Sequence, residues 1–152
     1  MDLALQCDKI SKIIVVSDID IPNKNRKIIV DKEPSSLAGD DVPIKAVTEY
    51  IRKKYEIKTP IILLQPSCPL RTIEQLNEAI YQFIHYDKNI IPMDFYKKEP
   101  NGSVFVFKGS DPWEFPFHFY YMKDMLIDID YEYQFKIAEW LMIERLEKLA
   151  AK

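Results

Sequence analysis

The chain has 152 residues, 47% of them hydrophobic, which is enough for one packed domain and hardly enough for two. Its 21 basic and 24 acidic side chains leave a net charge of −3, which argues against a surface built around nucleic-acid phosphates. Cys7 and Cys68 show neither metal nor disulfide spacing, and no apolar run reads as a signal peptide or membrane span, so a single soluble cytoplasmic domain over residues 1–152 is expected, with no nucleic-acid or membrane partner.

Residues 2–12 look like the tail of a helix, and the IIVV run from Ile13 to Val16 reads as a buried strand bounded by Ser17 and Asp18. Residues 19–26 are loop, 27–30 a second strand, and 31–41 a polar surface loop. A helix begins near Asp41 or Val42, with Asp41 as its cap, Pro43 in its first turn, and Ile44, Val47 and Ile51 facing inward. Residues 59–64 are the next strand. Thr72 opens a second long helix with Gln75 three residues on, a capping-box pair, and Ile73, Leu76, Ile80, Phe83 and Ile84 form its apolar face.

Residues 89–93 read as a strand and 103–107 (SVFVF) as a firmer one, with Pro100-Asn101-Gly102 before it as a hairpin turn. After a loop at 109–116, residues 118–122 and 125–129 are further strands. A last helix runs from about Tyr131 to Leu149, with Phe135, Ala138, Met142, Leu146 and Leu149 inward. Alternating strands and helices predict an α/β fold: a mainly parallel sheet covered by helices on both faces.

The most informative string is LLQPSCPLR, from Leu63 to Arg71. An apolar strand ends there in a Pro-bracketed turn carrying Gln65, Ser67 and Arg71, and ligands of open α/β sheets sit where strands end in such turns. An amide, a hydroxyl and a guanidinium suit a small, hydroxylated anion; the plainer reading is a Pro-stiffened strand-to-helix connection. In LIDIDYEY, Asp128 and Asp130 lie two apart, which in extended chain puts both carboxylates on one face where they could hold Mg²⁺. Asp130 could equally cap the helix that follows. The three glycines, Gly39, Gly102 and Gly109, lie far apart, so no glycine-rich phosphate loop exists in the chain. The aromatics from Trp113 to Tyr121 have only Lys108 and Lys123 as basic flanks and read as core or oligomer packing. His85 and His118 are isolated and read as ordinary, partly buried histidines.

Five blocks in order resemble the acylneuraminate (CMP-sialic acid synthetase-like) cytidylyltransferase family: VVSDID at 15–20, EPSSLAGDDVP at 33–43, LLQPSCPLR at 63–71, PNGSVFVF at 100–107 and IDIDYEYQFKIAE at 127–139. The resemblance implies a nucleotide-diphospho-sugar-transferase-like (Rossmann-like) fold. It also implies transfer of CMP from CTP to a nonulosonic or ulosonic acid with loss of pyrophosphate. By position, Asp128 and Asp130 would hold Mg²⁺, Gln65, Ser67 and Asn101 would contact the sugar acid, and Arg71 would serve the turn or the ligand as the catalytic cation. The chain departs from the family on the nucleotide side: Met1 falls after the family's first strand and basic, glycine-containing loop, Glu33 replaces an arginine that contacts the base, and Ile44 replaces a hydroxyl. The segment between the Gln65 helix and Asn101 is short and offers chiefly Lys97 and Lys98 for a carboxylate. The isolated chain is therefore expected to be incomplete or inactive, with a non-catalytic sugar-acid-binding or protein-interaction module as the alternative. With the first strand missing, the edge from Ile13 to Val16 should be closed by rearrangement, by a homo-oligomer or by a complementing chain.

Overall fold

A computed structural model describes residues 2–39, 41–122 and 127–151, and the chain divides into two compact units, Met1–Thr59 and Pro60–Lys152. The chain is α/β, with two open sheets and four α-helices among the described residues.

The first unit contains α1 (Asp2–Gln6), β1 (Ile13–Ser17), β2 (Ile28–Lys32), a single 3₁₀ turn and α2 (Ile44–Tyr55). β-branched residues favour extended chain, and the two strands pair in parallel with Ile13 opposite Ile28 and Ser17 opposite Lys32. Asn23 pins the loop between them, its Nδ2 donating to the Asn25 and Ile28 carbonyls at 3.1 and 2.9 Å. Among the described residues β1 pairs with β2 alone, so the edge from Ile13 to Val16 gains no second strand by rearrangement. Helix α2 is capped at Pro43 and not at Asp41, because Pro43 is extended (φ −69°, ψ 144°) and the helix opens only after it. Thr48 and Ile51 are its buried residues.

An ionic cluster ties α2 to β2. The buried Asp31 carboxylate accepts from Lys54 Nζ at 2.6 Å and from Tyr50 Oη at 3.3 Å, and Lys54 Nζ also donates to Tyr50 Oη at 2.8 Å. Burial by itself would raise the Asp31 carboxyl, but hydrogen bonds from Lys54, Tyr55 and Tyr50 and the Lys54 charge outweigh it and hold the group below its ordinary value. The same hydrogen bond to Asp31 pushes Lys54 upward.

The second unit contains β3 (Ile61–Leu63), α3 (Ile73–Tyr86), β4 (Asn89–Asp94), β5 (Phe105–Phe107), β6 (Phe117–Met122) and α4 (Glu132–Ala150). Its sheet has the order β3-β5-β4-β6 and is mixed: β5 runs against both β3 and β4, and only β4 and β6 are parallel. The expected mainly parallel sheet is thus replaced here, for a local reason. Asp94 Oδ1 accepts from the Tyr96 and Lys97 N–H groups at 2.8 and 2.7 Å, and Lys98 takes a left-handed conformation (φ 59°). The chain reverses there, and a short reversal delivers an antiparallel neighbour, whereas a parallel one needs a longer crossover.

Ile91, Met93, Phe105 and Phe107 form the core of this sheet, joined by Ile61, Leu63 and Phe117. Helix α3 covers it with Leu76, Ala79, Ile80 and Phe83, while Ile84 is exposed. The Thr72–Gln75 capping box forms as the spacing predicts: Thr72 Oγ1 accepts from Gln75 N at 3.3 Å, and Gln75 Oε1 accepts from Thr72 N at 2.9 Å. In α4 only Ala138 is buried; Phe135 and Leu146 are exposed, and the Leu149 side chain lies outside the described residues. Apolar residues occur all round this helix, so no single inward stripe exists. Of the strand expected at 125–129, residues 125 and 126 lie outside the described residues and 127–129 are irregular.

The aromatic run is not core. Trp113, Phe115, Phe117, Phe119 and Tyr121 form a ladder of ring contacts leading into and along β6, and only Phe117 joins the core.

Candidate functional site

Five of the six candidate residues come together in the second unit, around the turn between β3 and α3. The chain segment returning toward β5 is laid against this turn: Pro100 bridges to Met93, and Asn101 N donates to the Pro92 carbonyl at 3.0 Å. The reversal has already happened at 95–98, so Asn101-Gly102 is not the hairpin turn that its sequence suggests. It is instead the point of contact with the Gln65 turn, and Gln65 N donates to the Gly102 carbonyl at 3.2 Å.

Gly102 makes this approach possible. A Cβ there would run into Gln65 Oε1 and would lie 3.2 Å from both Gln65 Cβ and Ser67 Oγ. Only hydrogen in place of a side chain lets the Gln65 and Ser67 side chains sit over the backbone at 102.

Arg71 clamps the two segments. Its Nη2 donates to the Gln65 carbonyl and, at 3.5 Å, to the Gly102 carbonyl. Arg145, reaching from α4, donates to the Leu70 and Arg71 carbonyls at 3.3 Å each. Ser67 offers its carbonyl to Ile129 N at 2.8 Å, which brings the Asp128 segment alongside.

The electrostatics couple three of these groups. Burial pushes the fully buried Cys68 thiol up; the Arg71 charge opposes this, and the Asp128 charge adds to it. Burial likewise presses the Arg71 guanidinium down, against the stabilising influence of Cys68 and Asp128. Arg71, Cys68 and Asp128 therefore share one partly dehydrated environment.

Unmatched polar atoms occur on three of these segments. Asn101 is buried, and its Oδ1 is occupied by Ser103, from N at 3.1 Å and from Oγ. That fixes the amide, and its Nδ2 is left without a partner. Arg71 Nε and Asp128 Oδ1 are likewise buried and unpartnered. Among the described residues only Gln82 Oε1 shares this condition. Buried polar atoms are nearly always matched, so two donors and one acceptor left open on the segments that meet at this turn constitute a signal for a ligand.

Asp130 stands apart. It is exposed, and its carboxylate does not cap α4. The helix starts one residue later, with Tyr131 as its cap, and Gln134 Oε1 closes the end by accepting from Asp130 N and Tyr131 N at 2.7 Å each. No group of three or more metal-type side chains occurs among the described residues.

Sequence reasoning missed Gly102, Ser103 and Arg145. Their roles depend on the meeting of segments distant in the chain, and only the short Asn101-x-Ser103 spacing was legible as a local side-chain turn. A groove of about 280 Å³ beside Pro69 is lined by Ile129, Phe135, Ala138 and Met142 among others, and none of the candidate residues lines it.

No protein-family model matches the chain, and no curated protein matches it. No helix among the described residues is long and apolar enough to cross a membrane.

Proposed function

We propose that the chain is a cytidylyltransferase-like protein of the CMP-sugar-acid synthetase type, with a nucleotide-diphospho-sugar-transferase-like fold. In this reading a hydroxyl of a nonulosonic or ulosonic acid attacks the α-phosphate of CTP and pyrophosphate leaves. The observation that carries it is that Arg71, Asn101 and Asp128 each keep an open, buried polar atom on segments that meet at the Gln65 turn. Two open donors suit a carboxylate or hydroxyl oxygen of a sugar acid, and the open carboxylate oxygen suits a hydroxyl or a hard cation. Gln65, Ser67 and Asn101 bind the sugar acid; Arg71 holds the Gln65 and Gly102 backbone in place and adds positive charge.

Mg²⁺ belongs to this reading. The open, buried Asp128 oxygen fits it, and the exposed Asp130 would be its second holder. When bound, the ion would offset phosphate charge. The buried thiols of Cys7 and Cys68 suit a cytoplasmic setting, and the one-sided β1 suits a homo-oligomer or complementing chain along the edge from Ile13 to Val16.

The second reading is a sugar-acid-binding or protein-interaction module without turnover. It is favoured by Glu33, an acid where the family's pattern has a base-contacting arginine, and by the commitment of Arg71 to two backbone carbonyls. A triphosphate needs cationic and N–H-rich surroundings.

The test uses the purified protein with CTP, Mg²⁺ and a panel of nonulosonic and ulosonic acids, following pyrophosphate release and melting temperature. Release that disappears in Asp128→Ala would establish turnover by this chain alone, against the expectation that it is incomplete in isolation. A rise in melting temperature with a sugar acid but not with CTP, and no release, would establish the second reading. No response to any of these ligands would defeat both.

A further inference from the structure

Helix α4 turns a patterned row of side chains toward solvent. Glu132, Lys136, Trp140, Glu144 and Lys148 recur every four residues and so make one ridge on the helix surface. Trp140 is 62% exposed, and Tyr133, Ile137 and Ile143 beside the ridge are 61%, 45% and 50% exposed. Four large apolar side chains left open on one helix face make a patch too concentrated to be incidental. Within the helix the charges pair locally, with Lys136 Nζ 2.8 Å from Glu132 and Lys148 Nζ 3.0 Å from Glu144.

The order of the charges identifies the partner. From its N-terminal end the ridge reads acid, base, indole, acid, base; from the other end it reads base, acid, indole, base, acid. The row is complementary to its own reverse. A two-fold axis at Trp140 sets Glu132 against the second copy's Lys148 and Lys136 against its Glu144. Parallel copies would instead set acid on acid and base on base.

We propose that α4 is a self-association surface, on which a second copy of this chain packs antiparallel, ridge beside ridge, with Trp140 on the two-fold axis. Packing of i±4 ridges, with helices crossing at about −50°, is the commonest helix–helix geometry and keeps the two rows side by side along their length. Trp140, Ile137 and Ile143 supply the apolar centre, and the charged residues at the rim fix direction and register. Such a contact is isologous, so it closes at the dimer.

The test is sedimentation equilibrium of the full chain and of two charge variants, with circular dichroism as a check on helix content. Lys136→Glu/Lys148→Glu makes the ridge wholly acidic, and Glu132→Lys/Glu144→Lys makes it wholly basic. The wild type is expected at twice its 18.0 kDa mass, and each variant alone at the monomer mass. An equimolar mixture of the two variants is expected to recover the dimer, which also shows that both are folded. Trp140→Ala should raise the dimer dissociation constant at least tenfold. A wild type that stays monomeric, a dimer that survives in both charge variants, or a mixture that fails to re-form it would each overturn the proposal.

Discussion

Gly102 and Arg71 show how little of a site's architecture resides in residues with reactive side chains. Gly102 contributes an absence: an added methyl group would make the Gln65 amide swing aside and the Gln65 Cβ and Ser67 Oγ give way by a few tenths of an ångström. Gly102→Ala is therefore expected to cost about 1–3 kcal/mol, the usual range for overpacking a tight contact, measured as a lower urea midpoint with an unchanged slope. Arg71→Met keeps much of the volume but removes the second donor to the Gln65 and Gly102 carbonyls, which retain Cys68 N and Gln65 N, and should cost about 1–2 kcal/mol by the same measurement. Arg71→Lys should recover only part of this, since an ammonium is more strongly hydrated than a guanidinium and resists this partly dehydrated position. The chemistry of Gln65, Ser67 and Arg71 was legible in the sequence because an amide, a hydroxyl and a guanidinium at a strand end announce themselves, whereas Asn101 read as a turn and entered only through the family resemblance. Gly102 was not, because a glycine beside an asparagine has the look of a turn whether or not anything packs on it.

Between elements, the Asp31 cluster offers the clearest handle. It joins β2 to α2, and its carboxyl titrates below its ordinary value because Lys54, Tyr55 and Tyr50 favour the charged form over the opposing effect of burial. The unfolded carboxyl titrates at about 3.9. Its contribution to stability is therefore fully present above that pH and is lost as pH falls through the lower folded value. Asp31→Asn should destabilise the protein by about 1 kcal/mol near neutrality, a modest figure because Lys54 remains in contact with water. Its urea midpoint should converge with that of the wild type in acid; equal gaps at pH 7 and pH 3 would refute this account. Periodicity placed most of the elements, and the Thr72–Gln75 cap formed as read. It failed where a neighbour decided the outcome: Pro43 displaced the Asp41 cap, and Gln134 took the role assigned to Asp130.

For the molecule as a whole, charge sets the expected partners. The ladder from Trp113 to Tyr121 resembles a stacking platform, and Lys98 lies over the Phe95 and Tyr121 rings at 4.0 and 5.1 Å. A net charge of −3 argues against a surface built to follow a phosphate backbone. Single-stranded oligonucleotides are accordingly expected to migrate unretarded with this protein at physiological salt, and a salt-sensitive shift would contradict that expectation. The sequence by itself determined the α/β class, the run of elements and the polar character of the Gln65 turn, since these follow from periodicity and side-chain chemistry acting over a few residues. Only the tertiary structure decided that β5 runs against its neighbours, that Gly102 closes on Gln65, and that the segments carrying open polar atoms on Arg71, Asn101 and Asp128 meet at one turn. Those outcomes depend on which distant segments meet, and a meeting of that kind is set by the packing of the whole unit.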